Sequence, residues 1–343
     1  MEITEARALW DQAGVYCNTA SYGLPPAPAW DALQAALADW RGGRTSWEHW
    51  GEATEASRAA FARLVGAPSD RVAVGSTVSE LVGSVVTALP PGARVVVPDV
   101  EFTSTLFPLL VQQRLDVQTV PPDRLVEAIS AGADAVAFSA VQMSTGEVAD
   151  LPAIAEAAAA TRAITICDAT QALGWLPVAA APFDAVVCSA YKWLMSPRGS
   201  AFLAVSERLL ERAIPHSAGW YAGADVHASY FGPPLRLADT ARRLDLSPAW
   251  FSWVGTQPAL ELIEQIGVEQ IHAHNLALAN RFRAGVGLAP SDSAIVCADL
   301  PGAADRLDRA GIVAAIRGGR LRTSWHVYND EADVDRVLEA LRA

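Results

Sequence analysis

The chain has 343 residues, of which 26 are basic and 38 acidic, so its formal net charge is −12. A length of this order predicts one large domain or two modest ones at ~150 residues each. The acidic balance argues against nucleic acid and anionic membrane surfaces as partners. The first residues lack the basic and then apolar order of a signal peptide, and no apolar run approaches ~20 residues. We therefore predict a cytoplasmic protein that neither enters a membrane nor binds nucleic acid.

The cysteines are consistent with a reducing compartment. Cys17, Cys167, Cys188 and Cys297 are scattered and form no Cys-x-x-Cys pair, and the last three lie in apolar runs. We interpret them as buried thiols rather than disulfides or metal ligands, and we predict no metal site.

From Arg71 to about Val205, short apolar runs alternate with amphipathic stretches. The runs predict buried strands at residues 71–74, 94–97, 134–138, 164–167 and 184–188. The segments between them predict helices at 78–89, 125–130 and 151–160. Apolar strands separated by helices are typical of a mostly parallel sheet covered on both faces. Residues 199–205 follow too closely for another crossover, so we predict that they pair antiparallel.

The rest of the chain predicts a smaller unit. Residues 215–252 are rich in glycine, proline and aromatic side chains and indicate an irregular connection, which is often functional. A helix at 257–266 is expected to continue past Gly267 to 283. Apolar runs at 294–297, 312–316 and 321–325, with helices at 303–310 and 331–341, indicate an α+β fold. We predict a large domain over residues 1–255 and a linking helix with a small domain over 256–343.

Lysine occurs once in this chain. Of the 26 basic residues 25 are arginine, and the exception is Lys192. Arginine can replace lysine wherever only a solvated charge is needed, but a guanidinium does not lose its proton to act as a nucleophile or base. The count favours a chemical role for Lys192. The alternative is that the composition is biased toward arginine and that this one lysine remains by chance.

Polar residues follow several of the predicted strands, where parallel sheets bind ligands. Ser76 and Thr77 open a helix and offer hydroxyl and N–H groups to a phosphate, although such residues also cap helices generally. Asp168 follows a buried strand and needs a partner such as a protonated pyridine nitrogen, unless it only caps the next helix. Lys192 follows the next strand, at the same edge. Together these residues describe a site for pyridoxal phosphate.

With these motifs, from Tyr16-Cys17-Asn18-Thr19-Ala20 to Tyr328-Asn329, the chain resembles the class V aminotransferase-fold enzymes. This fold-type I group includes cysteine desulfurases, selenocysteine lyases, isopenicillin N epimerase and the hercynylcysteine sulfoxide lyase of ergothioneine biosynthesis. The resemblance implies an α/β fold with a mostly parallel seven-stranded sheet between helices and a smaller C-terminal α+β domain. It also implies pyridoxal 5'-phosphate as the cofactor.

The resemblance further implies roles for single residues. Lys192 would form the Schiff base with the cofactor, and Asp168 would pair with its ring nitrogen. The other implied cofactor contacts are Gln171 at the ring hydroxyl, Phe102 on the ring face, Tyr191 where desulfurases usually have histidine, and Ser76, Thr77 and Ser189 at the phosphate. Gly255 and Thr256 would reach the phosphate of a neighbouring subunit, which implies a homodimer with shared active sites. Arg322 would bind the substrate carboxylate, and the further candidate substrate contacts are Ala20, Gln142 and Trp220.

One departure from the desulfurases bears on the reaction. No cysteine follows Cys297, and residues 316–322 are too few for the loop that carries the nucleophilic cysteine of those enzymes. Without a thiolate there, we expect persulfide transfer to fail.

We therefore favour β-elimination from an amino-acid substrate, a cysteine S-conjugate or cysteine sulfoxide such as hercynylcysteine sulfoxide. The turn Pro197-Arg198-Gly199 resembles that of the ergothioneine lyase group. Aromatic rings at 47–50, 219–221 and 230–231 would either bind a quaternary ammonium group or pack a core or dimer interface. Transamination, epimerisation and a non-catalytic α/β binding domain are the alternatives.

Overall fold

The computed structural model describes residues 1–343 and contains two β-sheets. Their strands are β1 (Val72–Gly75), β2 (Arg94–Pro98), β3 (Asp116–Val120), β4 (Ala135–Ser139), β5 (Ile164–Asp168), β6 (Ala185–Ser189), β7 (Ala201–Val205), β8 (Ile295–Ala298), β9 (Ala315–Arg317) and β10 (Arg320–Ser324). The large sheet has the order β1-β7-β6-β5-β4-β2-β3, and the small sheet has the order β8-β10-β9.

Helices cover the sheets and connect their strands. They are α1 (Ile3–Ala6), α2 (Ala27–Arg41), α3 (Trp47–Val65), α4 (Val78–Val86), α5 (Thr103–Leu110), α6 (Leu125–Ser130), α7 (Leu151–Thr161), α8 (Glu207–Leu210), α9 (Trp250–Ile266), α10 (Val268–Gly285), α11 (Ala303–Arg309) and α12 (Glu331–Arg342). None of these helices combines the length and apolar character needed to cross a bilayer.

The large sheet confirms the predicted mostly parallel α/β architecture. Strands β2 to β6 pair in parallel, whereas β7 runs antiparallel to both of its neighbours, β1 and β6. The short connection that precedes β7 predicted this reversal. Strand β3 was not among the strands predicted from apolar runs.

Both faces of the large sheet are buried, which explains the apolar runs. Along β1, Val72 and Val74 enter a core cluster of 47 residues on one face, and Ala73 enters a cluster of 25 residues on the other. Successive side chains of a strand point to opposite faces, so a strand covered on both sides is apolar throughout.

The linking helix differs from its prediction at both ends. It begins at Trp250, earlier than predicted, and it ends at Gly267, whose φ of 91° and ψ of 131° are not helical. Glycine adopts this positive φ readily, and the expected continuous helix is therefore two helices, α9 and α10. Before α9, residues 215–249 form only short 3-10 turns and one short bridge, as expected for an irregular connection.

The N-terminal segment belongs structurally with the small sheet. Tyr16 bridges to Val313 and Asn18 to Ser324 of β10, while Cys17 packs in a third core cluster, of 14 residues, between the small sheet and its helices. The division at residues 255 and 256 remains a prediction. The segment that opens the chain nevertheless contributes to the core of the C-terminal unit.

Candidate active site

A cavity lies where the central parallel strands end. Strands β4, β5 and β6 end at Ser139, Asp168 and Ser189, and all three residues line this cavity together with Lys192. The other lining residues are Val78, Phe102, Ser104, Met143, Thr170, Gln171 and Tyr191. We call it the Lys192 cavity. The topology thus brings together six of the predicted cofactor residues: Lys192, Asp168, Phe102, Gln171, Ser189 and Tyr191.

Lys192 is buried, with only 6% of its surface exposed. Its Nζ lies 5.5 Å from the centre of the Phe102 ring and 5.6 Å from that of Tyr191. Burial lowers its pKa to about 8, and Arg322 adds to this effect while the charge of Asp168 opposes it. A lysine with such a pKa is partly uncharged near neutral pH, as a nucleophilic or basic amine must be.

The Asp168 carboxylate is held in place by two donors. Its Oδ2 accepts from the Thr105 hydroxyl at 3.0 Å and its Oδ1 accepts from the backbone N–H of Thr170 at 2.9 Å. Only 4% of the residue is exposed. A fixed, buried carboxylate at the cavity wall is suited to a cationic ring nitrogen, because a buried charge needs a partner of opposite sign.

A second buried carboxylate, Glu101, lies beside this site and was not singled out from the sequence. Its Oε1 accepts from the Phe102 N–H at 2.8 Å and from the Ser139 hydroxyl, and its Oε2 accepts from the Ser139 N–H at 2.7 Å and from the Gln142 amide at 3.2 Å. Burial and the charge of Asp168 raise its pKa. Glu101 therefore fixes two residues of the cavity wall. Gln142 itself does not line the cavity, so the expected substrate contact there is not supported.

Gln171 connects the lysine loop to the N-terminal segment. Its amide oxygen accepts from the Trp193 indole N–H at 2.8 Å, and its amide nitrogen donates to the Ala20 carbonyl at 2.9 Å. The Ala20 N–H in turn donates to the Ser324 hydroxyl at 2.9 Å. Ala20 does not line the cavity and acts through its backbone. A contact between Gln171 and the ring hydroxyl remains a prediction that uses its second amide hydrogen.

The N-terminal segment approaches the lysine loop closely at Gly23. Its N–H donates to the Tyr191 carbonyl at 2.9 Å, and a Cβ added at Gly23 would lie 1.9 Å from the Lys192 carbonyl oxygen. Any larger residue would displace the loop that carries the lysine.

The expected phosphate site at the start of α4 is partly occupied by a side chain. The Glu80 carboxylate accepts from the Ser76 and Thr77 N–H groups at 3.3 and 3.0 Å, and the Thr77 hydroxyl caps α4 by accepting from the Glu80 N–H. Val78, but neither Ser76 nor Thr77, lines the Lys192 cavity. Phosphate binding at these residues remains a prediction, and it requires that the exposed Glu80 side chain move away.

The structure places Gly255 and Thr256 inside α9. Thr256 is fully buried, its hydroxyl lies 2.8 Å from that of Ser200, and it donates to the Ser252 carbonyl at 2.8 Å. A Cβ at Gly255 would lie 2.6 Å from the Cγ of Pro197. Because α9 begins at Trp250, both residues lie inside the helix and pack against their own chain. Contact of these two residues with the phosphate of a neighbouring subunit remains a prediction.

Trp220 also lies elsewhere than expected. Its ring meets Trp47 edge-on at 5.0 Å and lies 5.2 Å from Tyr230 and 6.4 Å from Trp250. None of these rings lines the Lys192 cavity. The aromatic residues pack against one another, and a substrate contact by Trp220 remains a prediction.

Arg322 is a buried cation beside the cavity. Only 1% of its surface is exposed. Its Nη2 donates to the Ser21 hydroxyl at 2.6 Å, and its Nη1 donates at 3.0 Å to the carbonyl of Met143, a cavity residue. Its Nε has no hydrogen-bond partner. Burial lowers its pKa to about 10. A planar guanidinium with a free N–H is suited to a substrate carboxylate.

One thiol lies next to this arginine. Cys297 of β8 stands directly opposite Arg322 of β10, and its Sγ donates to the Ser144 carbonyl at 3.1 Å. Burial raises its pKa, which disfavours the thiolate that a sulfur nucleophile needs.

These donors fit pyridoxal phosphate. The cavity offers an amine for its aldehyde in Lys192, a fixed carboxylate for its ring nitrogen in Asp168, and aromatic faces for the ring in Phe102 and Tyr191.

Solved structures share this fold over nearly their whole length. The cysteine desulfurase CsdA from Escherichia coli is 22% identical with a TM-score of 0.85, and the match covers 100% of this chain and 98% of that one. A cystine C–S lyase, C-DES, is 18% identical with a TM-score of 0.85, and the match covers 96% of this chain and 97% of the other.

Curated relatives and a family model agree with the site. The chain is 25% identical to an uncharacterized aminotransferase, YcbU, of Bacillus subtilis over 87% of this chain and 86% of that protein. It is 27% identical to isopenicillin N epimerase of Amycolatopsis lactamdurans, with 83% of each covered, and 28% identical to kynureninase of Deinococcus radiodurans, with 82% and 73% covered. The model for aminotransferase class V matches residues 25–300. This chain therefore belongs to the class V aminotransferase family of pyridoxal phosphate-dependent enzymes.

Proposed function

We propose that the enzyme is a C–S lyase that acts by β-elimination on a cysteine S-conjugate or a cysteine sulfoxide. The observation that supports this proposal is the surroundings of Arg322: this buried arginine donates to the carbonyl of Met143, a cavity residue, and the thiol opposite it, Cys297, donates to the Ser144 carbonyl. We infer that an amino acid binds there and that Cys297 does not take up its sulfur, because burial raises the pKa of this thiol and so disfavours the thiolate.

The residues of the cavity supply what such a reaction needs. When bound, the cofactor's protonated pyridine ring withdraws electron density from the Cα of the substrate. Asp168 keeps the proton on that ring nitrogen, and Arg322 with Ser21 holds the substrate carboxylate. The Lys192 amine, partly uncharged at neutral pH, takes the proton from Cα.

The substrate then decides the outcome. If Cβ carries sulfur, the Cβ–S bond breaks, the sulfur leaves with the bonding electron pair, and water converts the remaining fragment to pyruvate and ammonium. Hercynylcysteine sulfoxide is one such substrate. The aromatic rings that could have held its trimethylammonium group lie outside the Lys192 cavity, so we propose the broader class.

A second candidate is transamination or epimerisation of an amino acid. The similarity to an aminotransferase and to isopenicillin N epimerase favours it. Without a leaving group at Cβ, the bound cofactor would supply the chemistry to convert the substrate to a keto acid, and return of a proton to the opposite face of Cα would give the inverted substrate. Either reaction would use Lys192 and Asp168 in the same positions.

A panel of substrates distinguishes these reactions. The loaded enzyme is incubated with S-substituted cysteines, their sulfoxides, cysteine and alanine, and pyruvate, sulfide, keto acids and inverted substrate are measured together. We expect pyruvate and free thiol in equal amounts from the S-conjugates, unchanged in Cys297→Ser and absent in Lys192→Ala. Keto acid or inverted substrate without pyruvate would contradict the lyase proposal and favour the second candidate.

A further inference from the structure

Three arginines share one face of the hairpin formed by β9 and β10. Arg317 stands directly opposite Arg320, and Arg322 is two residues further along the same strand. Directly opposed residues point to the same side of an antiparallel pair, and so do residues two apart in one strand. We call Arg317, Arg320 and Arg322 the arginine face.

No carboxylate of the chain neutralises the arginine face. None of the twelve salt bridges includes any of these three residues, although the chain has 38 acidic side chains against 26 basic ones. Like charges directly opposite each other destabilise a sheet. The charge of Arg317 also contributes to the lowered pKa of Arg322. Because these like charges lower the stability of the fold, the arginine face is well suited to bind an anionic ligand.

Arg317 and Arg322 donate to the same hydroxyl group. The Ser21 oxygen accepts from Nη2 of Arg322 at 2.6 Å and from Nη2 of Arg317 at 3.2 Å. A hydroxyl oxygen carries only a partial negative charge, so it satisfies the geometry of the two guanidinium groups but not their charge. Arg322 is buried, whereas Arg317 is exposed and can reorient toward a ligand.

This face lies next to the reaction site. Arg322 donates to the carbonyl of Met143, which lines the Lys192 cavity, and the charges of Arg322 and Arg317 both lower the pKa of Lys192. An amino acid whose α-carboxylate lies on Arg322 would therefore have Arg317 and Arg320 within reach of its side chain.

We propose that the arginine face binds substrates with two anionic groups. Arg322 and Ser21 hold the α-carboxylate, while Arg317 and Arg320 hold a carboxylate or sulfonate at the far end of the side chain. This proposal uses the site of the proposed function but concerns binding, so it does not depend on which bond the enzyme breaks.

Matched ligands test the proposal. Binding of S-(2-carboxyethyl)cysteine, its amide S-(2-carbamoylethyl)cysteine and the sulfonate S-(2-sulfoethyl)cysteine to the holoenzyme is measured from the change in cofactor absorbance. We expect the two acids to bind about tenfold or more tightly than the amide, because charge-assisted pairing with arginine is stronger than a neutral hydrogen bond. Preference for only one of the acids would identify the anion. Equal affinity for all three ligands would overturn the proposal.

Variants assign the preference to residues. Arg317→Gln should remove most of the preference for the acids, and the double change with Arg320→Gln should remove all of it, while the amide binds as before. Arg309→Gln is the matched control, because Arg309 is an exposed arginine of the same unit that bonds only to the Asp305 carbonyl. A preference that survives the double change would refute the assignment.

Ligands without a leaving group separate this inference from the lyase proposal. 2-Aminoadipate and its side-chain amide bear no sulfur, and their affinities are compared in the same way. If the acid binds more tightly than its amide while no cysteine conjugate yields pyruvate, the proposed anion binding by the arginine face is supported and the lyase proposal is refuted. If pyruvate forms but neither pair of ligands shows a preference, the lyase proposal stands and the arginine face is refuted.

Discussion

Because Lys192 is the only lysine, its acidity can be measured directly in this enzyme. Its pKa is lowered to about 8, mainly by burial. At pH 7 about one amine in ten is then uncharged, against about one in 3,000 for an ordinary lysine, so its reactivity should rise roughly 300-fold. Neighbouring charges should shift this value in opposite directions. Asp168→Asn should lower the pKa further, and Arg322→Gln should raise it.

The assay follows the labelling of the cofactor-free protein by trinitrobenzenesulfonate between pH 6 and pH 11. Peptide mass mapping separates Lys192 from the α-amino group of the chain, and Lys192→Arg is the control that removes the lysine signal. We expect the labelling rate to rise through an inflection near pH 8. An inflection above pH 10, or one that neither neighbouring substitution moves, would refute the claim that burial and these two charges set the acidity.

Four further substitutions test the other side chains of the site. Asp168→Asn should lower turnover at least a hundredfold, roughly the loss seen when a fixed electrostatic group is removed, while an unchanged rate would place the partner of the ring nitrogen elsewhere. Glu101→Gln should weaken cofactor binding, because its amide nitrogen would face the four donors that the carboxylate accepts from, at a cost of about 1–3 kcal/mol. Glu127→Gln, a substitution on the surface, is the control. Equal cofactor affinities of these two variants would contradict the role of Glu101. Glu80→Ala should tighten cofactor binding severalfold in a fluorescence titration, because its carboxylate competes with a phosphate for the same N–H groups, and weaker binding would contradict this. Cys297→Ser should leave the rate of sulfur release unchanged, and a large loss would reveal a nucleophilic thiol.

The sequence predicted the strands that are covered on both sides and missed β3, the edge strand whose residues are not buried. Strands β1, β2, β4, β5 and β6 are nearly continuous apolar runs because both of their faces are buried. Strand β3 lies at the edge of the sheet, and its residues are exposed or half-buried. Its mixture of Asp116, Gln118 and Thr119 with two valines gives no apolar run to detect.

The site was predictable where chemistry constrains residue type. Lys192 was found through its scarcity and Asp168 through its place after a strand. Glu101 lies three residues after the end of β2, and the same rule would have selected the exposed Asp99 instead. Gly255 and Thr256 were placed by resemblance alone, and their burial depends on where α9 begins, which is set by its packing against α2 and α3. Such tertiary contacts leave no local pattern in the sequence.

The pairing of the first and last parts of the chain affects how the enzyme is made. Ala20 and Ser21 meet Ser324 and Arg322 through hydrogen bonds that span about 300 residues. On the ribosome, the large sheet can be completed while β10 is still unsynthesised, so the nascent chain passes through a stage with a formed lysine pocket and no arginine to receive a substrate. Premature termination before residue 322 would therefore remove the arginine that we expect to bind the substrate carboxylate.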